Sequence, residues 1–242
     1  MKAFETENLT KTFKGVEAVR GLTLSMERGE VLGFIGTNGA GKTTTIKMLL
    51  GLEAPTSGSL TVMGGDPRTT EVRRRIGFMP ETANYYPYLN AWELLKFYGG
   101  LCGLDAKTIR LRSEKLLDEV DLLGAAKRRL KTYSKGMLQR AGLAQALLAD
   151  PELLILDEPF TGLDPLARIR FRNLVKRLKG EGKSIFFSSH ELGETELICD
   201  RVAIVKRGQC FYQGPVKQLA GDGETNLERL FLDVLKREEV AK

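Results

Sequence analysis

Three short apolar runs stand out in the pattern of apolar and polar residues along this chain of 242 residues. They are EVLGFIG at residues 30–36, LLILDE at residues 153–158 and SIFFSSH at residues 184–190, and each ends in glycine or polar residues. Nearly unbroken apolar runs of this length are typical of strands buried on both faces. Because stretches with helical features separate them, the pattern predicts an α/β fold with a mainly parallel, right-handed sheet.

Residues 1–30 show a different pattern, in which apolar and polar residues partly alternate. The pair Lys14-Gly15 interrupts this alternation and suits a tight turn. We therefore expect short antiparallel strands on both sides of the turn, forming a separate β layer.

Two helices are predicted between the buried runs. The first follows the first run and covers about residues 42–50. The second begins at Asp164 and Pro165, a favourable pair of N-cap and first helical residue. It is expected to continue to about Leu178, with Gly180 marking its end.

Residues 84–150 read as mostly helical. Asn90 and Glu93 form a capping-box pattern, Asp105 begins a second helical stretch, and Ser134 begins a third that ends before a proline. This stretch therefore predicts a helical lobe inserted between sheet strands.

We expect one domain over residues 1–242. Its core combines residues 1–83 with residues 151–214, residues 84–150 form the inserted helical subdomain, and residues 215–242 form a charged helical tail.

Composition narrows the functional classes. The three cysteines, Cys102, Cys199 and Cys210, form no CxxC pair, so they indicate neither a disulfide framework nor a metal knuckle and favour a reducing cytosol. The start of the chain lacks a signal-peptide pattern, and we expect that the chain does not cross a membrane alone.

The net charge of +6 would suit nucleic acid, anionic lipid or phosphate ligands. The basic runs at 73–75 and 127–131 lack interleaved aromatics, which favours solvated faces over a nucleic-acid platform.

The segment GTNGAGKT fits the pattern G-x-x-x-x-G-K-[ST] and lies between a predicted strand and a predicted helix, which disfavours a glycine-rich turn without a ligand. Its glycines let backbone N–H groups face phosphate oxygens, and the helix N-terminus adds partial positive charge. Lys42 is expected to reach the terminal phosphates of a nucleotide and Thr43 to hold Mg²⁺. The expected nucleotide-binding residues of this loop are Gly36, Thr37, Asn38, Gly39, Ala40, Gly41, Lys42, Thr43 and Thr44.

The run LLILDEP supplies two adjacent carboxylates at the carboxyl edge of the predicted sheet, beside the phosphate loop. Asp157 would join the Mg²⁺ shell through water. Glu158 would orient or deprotonate the attacking water, pointing the other way because side chains alternate along a strand. The alternative is that the two acids simply begin a loop.

Residues 132–165, TYSKGMLQRAGLAQALLADPELLILDEPFTGLDP, closely resemble the ATP-binding-cassette (ABC) ATPases. The family's hallmark L-S-G-G-Q stands here as YSKGM, in which only Ser134 and Gly136 are retained. TGLDP resembles the family's D-loop with Asp164, and SSHELGETELICDRVAIVKRGQ resembles its switch-histidine segment with His190. The resemblance covers nearly the whole chain and implies a P-loop NTPase core with an antiparallel β layer and a helical subdomain.

The resemblance also assigns roles to single residues. It implies catalytic roles for Lys42, Glu158 and His190, of which His190 is the only histidine in the chain. Phe13 corresponds to the family's adenine-stacking aromatic, with an ordinary core phenylalanine as the alternative. The implied ligands are ATP and Mg²⁺, the latter on Thr43, Asp157 and Glu81.

In the family, the Ser134 motif meets the nucleotide of a second subunit. The resemblance therefore implies a head-to-tail dimer that sandwiches two Mg-ATP, and a homodimer is favoured over a heterodimer. It further implies a separate polytopic membrane permease, of the bacterial exporter type, docking near residues 81–89. The chain is then expected to be cytoplasmic, on the inner face of the membrane, with no nucleic acid as partner. A cassette acting on nucleic acid or ribosomes, or one binding ATP without turnover, remains the alternative.

The segment RRRIGFMPETANYYPYLNAWE places an acid where the family usually has the glutamine of its Q-loop. We expect Glu81 to reach the metal ion, with a solvated loop residue as the alternative. Three tyrosines follow, Tyr85, Tyr86 and Tyr88, which are expected either to face the permease or to pack within the helical lobe.

Overall fold

The computed structural model describes residues 1–82, 84–216, 220–221, 224–225 and 227–236. The strands are β1 (Lys2–Phe13), β2 (Val16–Glu27), β3 (Val31–Gly36), β4 (Ser57–Val62), β5 (Ile76–Met79), β6 (Leu153–Asp157), β7 (Ser184–Ser189), β8 (Arg201–Lys206), β9 (Gln209–Pro215), β10 (Ala220–Gly221) and β11 (Glu224–Thr225). The helices are α1 (Lys42–Leu49), α2 (Thr70–Arg73), α3 (Ala91–Leu101), α4 (Ala106–Glu119), α5 (Lys135–Leu147), α6 (Pro165–Gly180), α7 (Leu192–Ile198) and α8 (Leu227–Lys236). Two short 3₁₀ turns cover Leu123–Ala125 and Leu130–Thr132.

The N-terminal layer is an antiparallel sheet with strand order β2-β1-β4. Lys14 and Gly15 both have positive φ, 46° and 84°, as a two-residue hairpin turn between β1 and β2 requires. The prediction of an antiparallel layer is confirmed. Its first two strands are longer than expected, at 12 residues each, because several register shifts let the pairing continue past irregular positions.

The second sheet has six strands in the order β5-β6-β7-β3-β8-β9, in which β9 alone is antiparallel to its neighbour. Every residue of β3, β6 and β7 is buried, which confirms the reading of the three apolar runs as strands covered on both faces. Because these three strands are parallel neighbours, their carboxyl ends meet at one edge of the sheet.

The helical lobe consists of α3, α4 and α5, which contact one another. The predicted capping box is present: the Glu93 N–H donates to Asn90 Oδ1 at 3.0 Å, and the Asn90 N–H donates to Glu93 Oε2 at 2.9 Å. Asp105 caps α4, and Ser134 caps α5 by accepting from the Met137 N–H at 3.2 Å. All three predicted helix starts are therefore confirmed.

The end of α6 agrees with the prediction. Gly180 is the last helical residue, and Gly182, at φ 81°, adopts the left-handed conformation that ends the helix. The Lys183 N–H donates to the Leu178 carbonyl at 3.0 Å and the Gly182 N–H to the Lys179 carbonyl at 2.9 Å, the two bonds of a Schellman motif. The prediction that Gly180 marks the end of the helix is confirmed, and Gly182 supplies the left-handed residue that closes it.

The C-terminal part is helical over α8, which packs against α7 and β8. Leu227 and Val234 of α8 are buried against Ile35, Val202 and Ile204. Of the predicted tail at 215–242, residues 217–219, 222–223, 226 and 237–242 lie outside the described residues, as does Ala83. Within the part of the chain that the structure describes, every helix is too short or too polar to cross a membrane.

Candidate functional site

The phosphate loop joins β3 to α1, and two of its glycines are required by close backbone contacts. A β-carbon on Gly36 would lie 2.5 Å from the Val205 carbonyl oxygen, and one on Gly41, at φ 96°, would lie 2.4 Å from the Ala18 carbonyl oxygen. Gly41 is also the N-cap of α1 and supplies no side-chain hydrogen bond. The N–H groups of the first helical turn therefore remain available to an anion.

Lys42 is held inside this loop and is 7% exposed. Its Nζ donates to the Gly36 carbonyl at 2.6 Å and to the Thr37 carbonyl at 3.4 Å. The same Nζ lies 3.2 Å from Oε1 of Glu158, which is also buried. The positive charge of Lys42 is thus fixed between the phosphate loop and the carboxylate that follows β6.

Asp157 is the last residue of β6 and faces two hydroxyl groups. Thr43 Oγ1 donates to its Oδ2 at 3.2 Å, and Ser188 Oγ donates to its Oδ1 at 2.5 Å. Burial raises the pKa of the Asp157 carboxyl, and the hydrogen bonds from Ser188 and Thr43 oppose that rise. The side chain is therefore poised to bind a cation, which favours its charged form.

Glu158 adopts a left-handed backbone conformation, with φ 51°. Its N–H donates to Ser188 Oγ at 3.0 Å, and its carbonyl accepts from Gln139 Nε2 at 3.3 Å. Strand alternation, from which Glu158 was predicted to point away from Asp157, does not apply here, because β6 ends at Asp157 and Glu158 lies outside the strand. Both carboxylates line the same cleft.

His190 follows β7 directly, and its side chain is 56% exposed. Its Nδ1 lies 2.7 Å from Glu158 Oε2. Glu158 is therefore held between Lys42 on one oxygen and His190 on the other. This arrangement brings residues from the segments that follow three neighbouring strands, β3, β6 and β7, to one carboxylate.

A cleft of about 510 Å³, open to solvent, connects these groups. Glu81, which is exposed, lines the same cleft on the side of β5. The structure thus brings together most of the residues predicted to bind or hydrolyse a nucleotide. These cleft-lining residues are Thr37, Asn38, Gly39, Ala40, Gly41, Lys42, Thr43, Thr44, Glu81, Asp157, Glu158 and His190.

Five predicted residues do not line this cleft, and of these Gly36 touches the site only through its carbonyl, which accepts from Lys42 Nζ. Phe13 is 41% exposed at the end of β1, with Lys11 Nζ 4.8 Å from its ring centre, so it is not a core residue. Ser134 and Gly136 lie at the start of α5, and Asp164 caps α6 by accepting from the Ala167 N–H at 2.8 Å. Their predicted roles toward a nucleotide remain predictions.

Sequence reasoning missed two contributors. Ser188 holds both Asp157 and the backbone of Glu158, although its only signal was the polar end of an apolar run. Thr161 lines the cleft, and its buried hydroxyl has no hydrogen-bond partner among the residues that the structure describes. Neither position belongs to a pattern whose spacing specifies a role.

The three tyrosines divide between the two predicted alternatives. Tyr85 packs within the helical lobe, where burial raises its pKa. Within the described part of the chain, its buried hydroxyl has no hydrogen-bond partner. Tyr86 and Tyr88 are 48% and 62% exposed, with ring centres 5.7 Å apart. Tyr86 also meets the ring of Phe97, itself 42% exposed, edge to face. These last three residues form an exposed aromatic patch beside the segment that carries Glu81.

The cleft suits Mg²⁺ carried by a nucleotide. Thr43 and Asp157 offer a hydroxyl and a carboxylate oxygen side by side, which are the hard ligands that Mg²⁺ prefers. No group of three or more histidine, cysteine, aspartate or glutamate side chains that could hold a metal ion occurs among the described residues. Because Mg²⁺ is usually bound by one or two carboxylates plus substrate phosphates, this sparse donor set fits the ion.

Comparison with known proteins agrees with this geometry. The family model described as ABC transporter matches residues 19–161. An uncharacterized ABC transporter ATP-binding protein of Nostoc sp. is 44% identical over 212 residues, which are 87% of this chain and 63% of that protein. The chain thus spans less than two thirds of that relative.

Two relatives have more specific names. The ABC transporter ATP-binding protein NatA of Bacillus subtilis is 39% identical, with 93% of each chain covered. The bacitracin transport ATP-binding protein BcrA of Bacillus licheniformis is also 39% identical, over 93% of this chain and 73% of its own.

Solved structures agree with the fold. An ATP-binding subunit of an ABC transporter superposes with a TM-score of 0.88 at 31% identity, over 96% of this chain and 99% of that chain. A dimeric ATP-binding cassette in a post-hydrolysis state with ADP and Pi gives a TM-score of 0.81 at 25% identity, over 90% of this chain and 99% of that one. The phosphate loop, the two carboxylates and the histidine at the sheet edge therefore lie in a chain that belongs to the ABC transporter family.

Proposed function

We propose that this chain is the ATP-binding and ATP-hydrolysing subunit of an ABC transporter. The observation that carries the proposal is the convergence of Lys42, Thr43, Asp157, Glu158 and His190 on one cleft at the end of a phosphate loop. The family match and the names of the relatives support the same reading.

Each group has a role that its contacts support. Free N–H groups of the phosphate loop and the ammonium of Lys42 bind the phosphate oxygens. Glu158, 2.7 Å from His190 Nδ1, accepts a proton from the attacking water. The new bond from that water oxygen to the terminal phosphorus replaces the bond to the bridging oxygen, which leaves with ADP. His190 then faces the phosphate that is released.

Thr43, Asp157 and Glu81 would hold Mg²⁺. When bound with the nucleotide, that ion neutralises charge that develops on the phosphate oxygens. Asp157 is suited to this task because its pKa is raised by burial, so a cation at its carboxylate relieves the cost of keeping the charge buried.

Hydrolysis is tested by phosphate release from the purified chain with Mg-ATP. Glu158→Gln should lower kcat at least about 100-fold, as loss of a general base does. Glu181→Gln, on an exposed glutamate after α6, serves as the matched control and should leave kcat unchanged. Equal phosphate release from wild type and Glu158→Gln would overturn the assignment of hydrolysis to this site.

The active form is a head-to-tail dimer that sandwiches two Mg-ATP. Ser134, Gly136 and Asp164 lie outside the chain's own cleft, so a second copy has to present them to the nucleotide. The dimeric cassette among the similar structures supports this mode. Sedimentation of the Glu158→Gln protein with and without Mg-ATP tests it: a dimer only with nucleotide is expected, and a monomer at saturating nucleotide would contradict it.

The membrane permease docks on the exposed aromatic patch of Tyr86, Tyr88 and Phe97, and the transporter is an exporter that holds this chain at the inner face of the membrane. Large exposed aromatic side chains are enriched at protein interfaces, and the patch adjoins the segment that carries Glu81. The bacitracin relative's name supports transport of an antibiotic-type cargo.

Docking is tested by pull-down from solubilised membranes and by the ATPase rate of the recovered complex. Tyr86→Ala and Tyr88→Ala should abolish the rate increase given by a polytopic membrane protein and keep the basal rate. Phe211→Ala, an exposed aromatic on β9, should change neither rate. Equal loss of basal and stimulated rates in the tyrosine variants would show that the patch supports the fold instead.

A further inference from the structure

The backbone of Glu158 is restrained on both sides. Its left-handed φ of 51° is a conformation that residues with a side chain rarely adopt. The Glu158 N–H is held by Ser188 on β7 at 3.0 Å, and its carbonyl by Gln139 on α5 at 3.3 Å. Because such conformations persist only where the surroundings enforce them, these contacts help to set the direction of the carboxylate.

Gln139 is buried, at 5% exposed, on the second turn of α5. The helix begins at the N-cap Ser134, so Gln139 joins the part of the helical lobe nearest Ser134 to the loop that follows β6. The Thr161 N–H donates to the same Glu158 carbonyl at 3.2 Å from within that loop. Loss of the Gln139 side chain would therefore break the hydrogen bond from α5 to the Glu158 carbonyl, while the turn at Glu158 keeps its own hydrogen bond.

A second contact between the same two segments leaves little freedom between them. A β-carbon on Gly136 would lie 2.7 Å from the Gly162 carbonyl oxygen, so the first turn of α5 lies directly against the loop after Glu158. The side chain of Lys135 lies on the other side of Gly162, 3.1 Å from the position a β-carbon would take there. A displacement of the start of α5 must then be transmitted to this loop.

We propose that Gln139 is a positioning residue that makes the orientation of Glu158 depend on the position of α5. The inference rests on the proposed function, in which Glu158 is the general base and Ser134 meets the nucleotide of a second subunit. A helix moves as a rigid unit, so a shift imposed at Ser134 reaches the Glu158 carbonyl through Gln139. The orientation of Glu158 in one site then depends on the nucleotide that α5 contacts in the other site of the dimer.

The test uses Gln139→Met, which keeps the length of the side chain and removes the donor. Its matched control is Gln145→Met, at a half-buried glutamine on the same helix that has no side-chain hydrogen bond among the described residues. Gln139→Met should lower kcat by about 10- to 100-fold, since misplacing a reacting group by about 1 Å costs of order 10²-fold. The KM for Mg-ATP and the midpoint of thermal unfolding should match those of Gln145→Met.

The same substitution is then made in Glu158→Gln. Because Gln139 acts through Glu158, Gln139→Met should not lower the residual rate of Glu158→Gln further. An equal fold loss in both backgrounds, a loss confined to KM, or a rate equal to that of Gln145→Met would each overturn the inference. An inactive wild-type chain would instead refute the proposed hydrolysis, so the two failures are distinguishable.

Discussion

Replacing Ser188 with alanine should destabilise the protein more than the same substitution at either of the other two serines of β7. The Ser188 hydroxyl is fully buried, donates to Asp157 Oδ1 at 2.5 Å and accepts from the Glu158 N–H at 3.0 Å. The substitution removes a hydrogen bond to a carboxylate and leaves the buried Glu158 N–H without its partner. Together these two losses lower the free energy of unfolding by about 3 kcal/mol. For a chain of this size that corresponds to a fall in Tm of about 10 °C.

Ser184→Ala is the matched control, because Ser184 is equally buried at the other end of β7. Its hydroxyl accepts one hydrogen bond, from the Gly29 N–H at 3.0 Å, and contacts no carboxylate. The expected loss is about 1 kcal/mol, or about 3 °C in Tm, with kcat unchanged. Urea and thermal unfolding in the absence of nucleotide and Mg²⁺ measure both variants.

The stability difference should also depend on pH. Burial holds the pKa of Asp157 in the folded state above its value in the unfolded state, which is near 3.9. At a pH between these two pKa values, the native state binds more protons than the unfolded state. The free energy of unfolding therefore falls as pH rises through this range. The Ser188 hydrogen bond opposes this rise, so Ser188→Ala raises the pKa of Asp157 further. The stability loss in Ser188→Ala should therefore be smaller near pH 4, where only the lost Glu158 N–H bond contributes, and grow toward pH 7. A loss that is constant with pH, or equal to that of Ser184→Ala, would refute the reasoning.

Three further predictions follow from single positions. Gly41→Ala should weaken Mg-ATP binding, measured by calorimetry, more than Gly39→Ala does. Both glycines have positive φ, but only a β-carbon on Gly41 would lie against a carbonyl oxygen. Equal affinities of the two variants would contradict this steric argument. Glu81→Gln should shift the Mg²⁺ dependence of ATPase activity to higher concentration and make it less sensitive to pH, and an unchanged dependence would place Glu81 outside the metal shell. Tyr85→Phe should leave urea stability equal or raise it by about 1 kcal/mol, since it removes a buried hydroxyl without a partner. Tyr133→Phe, which deletes a 2.9 Å bond to a carbonyl, should lower stability by about as much, and the opposite order would be inconsistent with these hydrogen bonds.

The strands and helix starts around the site could be predicted because local chemistry specifies them. Buried parallel strands read as unbroken apolar runs, and the glycines of the phosphate loop are required where the backbone passes within contact distance of β8 and β2. The N-caps Asn90, Asp105 and Ser134 each satisfy their own helix, so no tertiary contact is needed to locate them.

The geometry of Glu158 could not be predicted, because it depends on contacts between segments far apart in the chain. The alternation of side chains along β6 ends at Asp157, one residue before Glu158. The turn at Glu158 is instead held by Ser188 and Gln139, which are 30 and 19 residues away in the sequence. The tyrosines were ambiguous for a similar reason. Gly142 on α5 has no side chain and leaves the space that the Tyr85 hydroxyl occupies, so Tyr85 packs inward while its neighbours stay exposed.

The charges of the cleft explain why the acid at position 81 is compatible with a nucleotide. Among the described residues that line it, three carboxylates, of Glu81, Asp157 and Glu158, face one ammonium, that of Lys42. A triphosphate adds further negative charge, which the loop N–H groups offset only in part, so we expect the nucleotide to bind together with a divalent cation. An amide at position 81 would remove one of these negative charges, so less positive charge would be needed to balance the site. We therefore predict that the acid makes the site more selective for Mg-ATP over free ATP, and it lies on the segment that leads to the exposed aromatic patch.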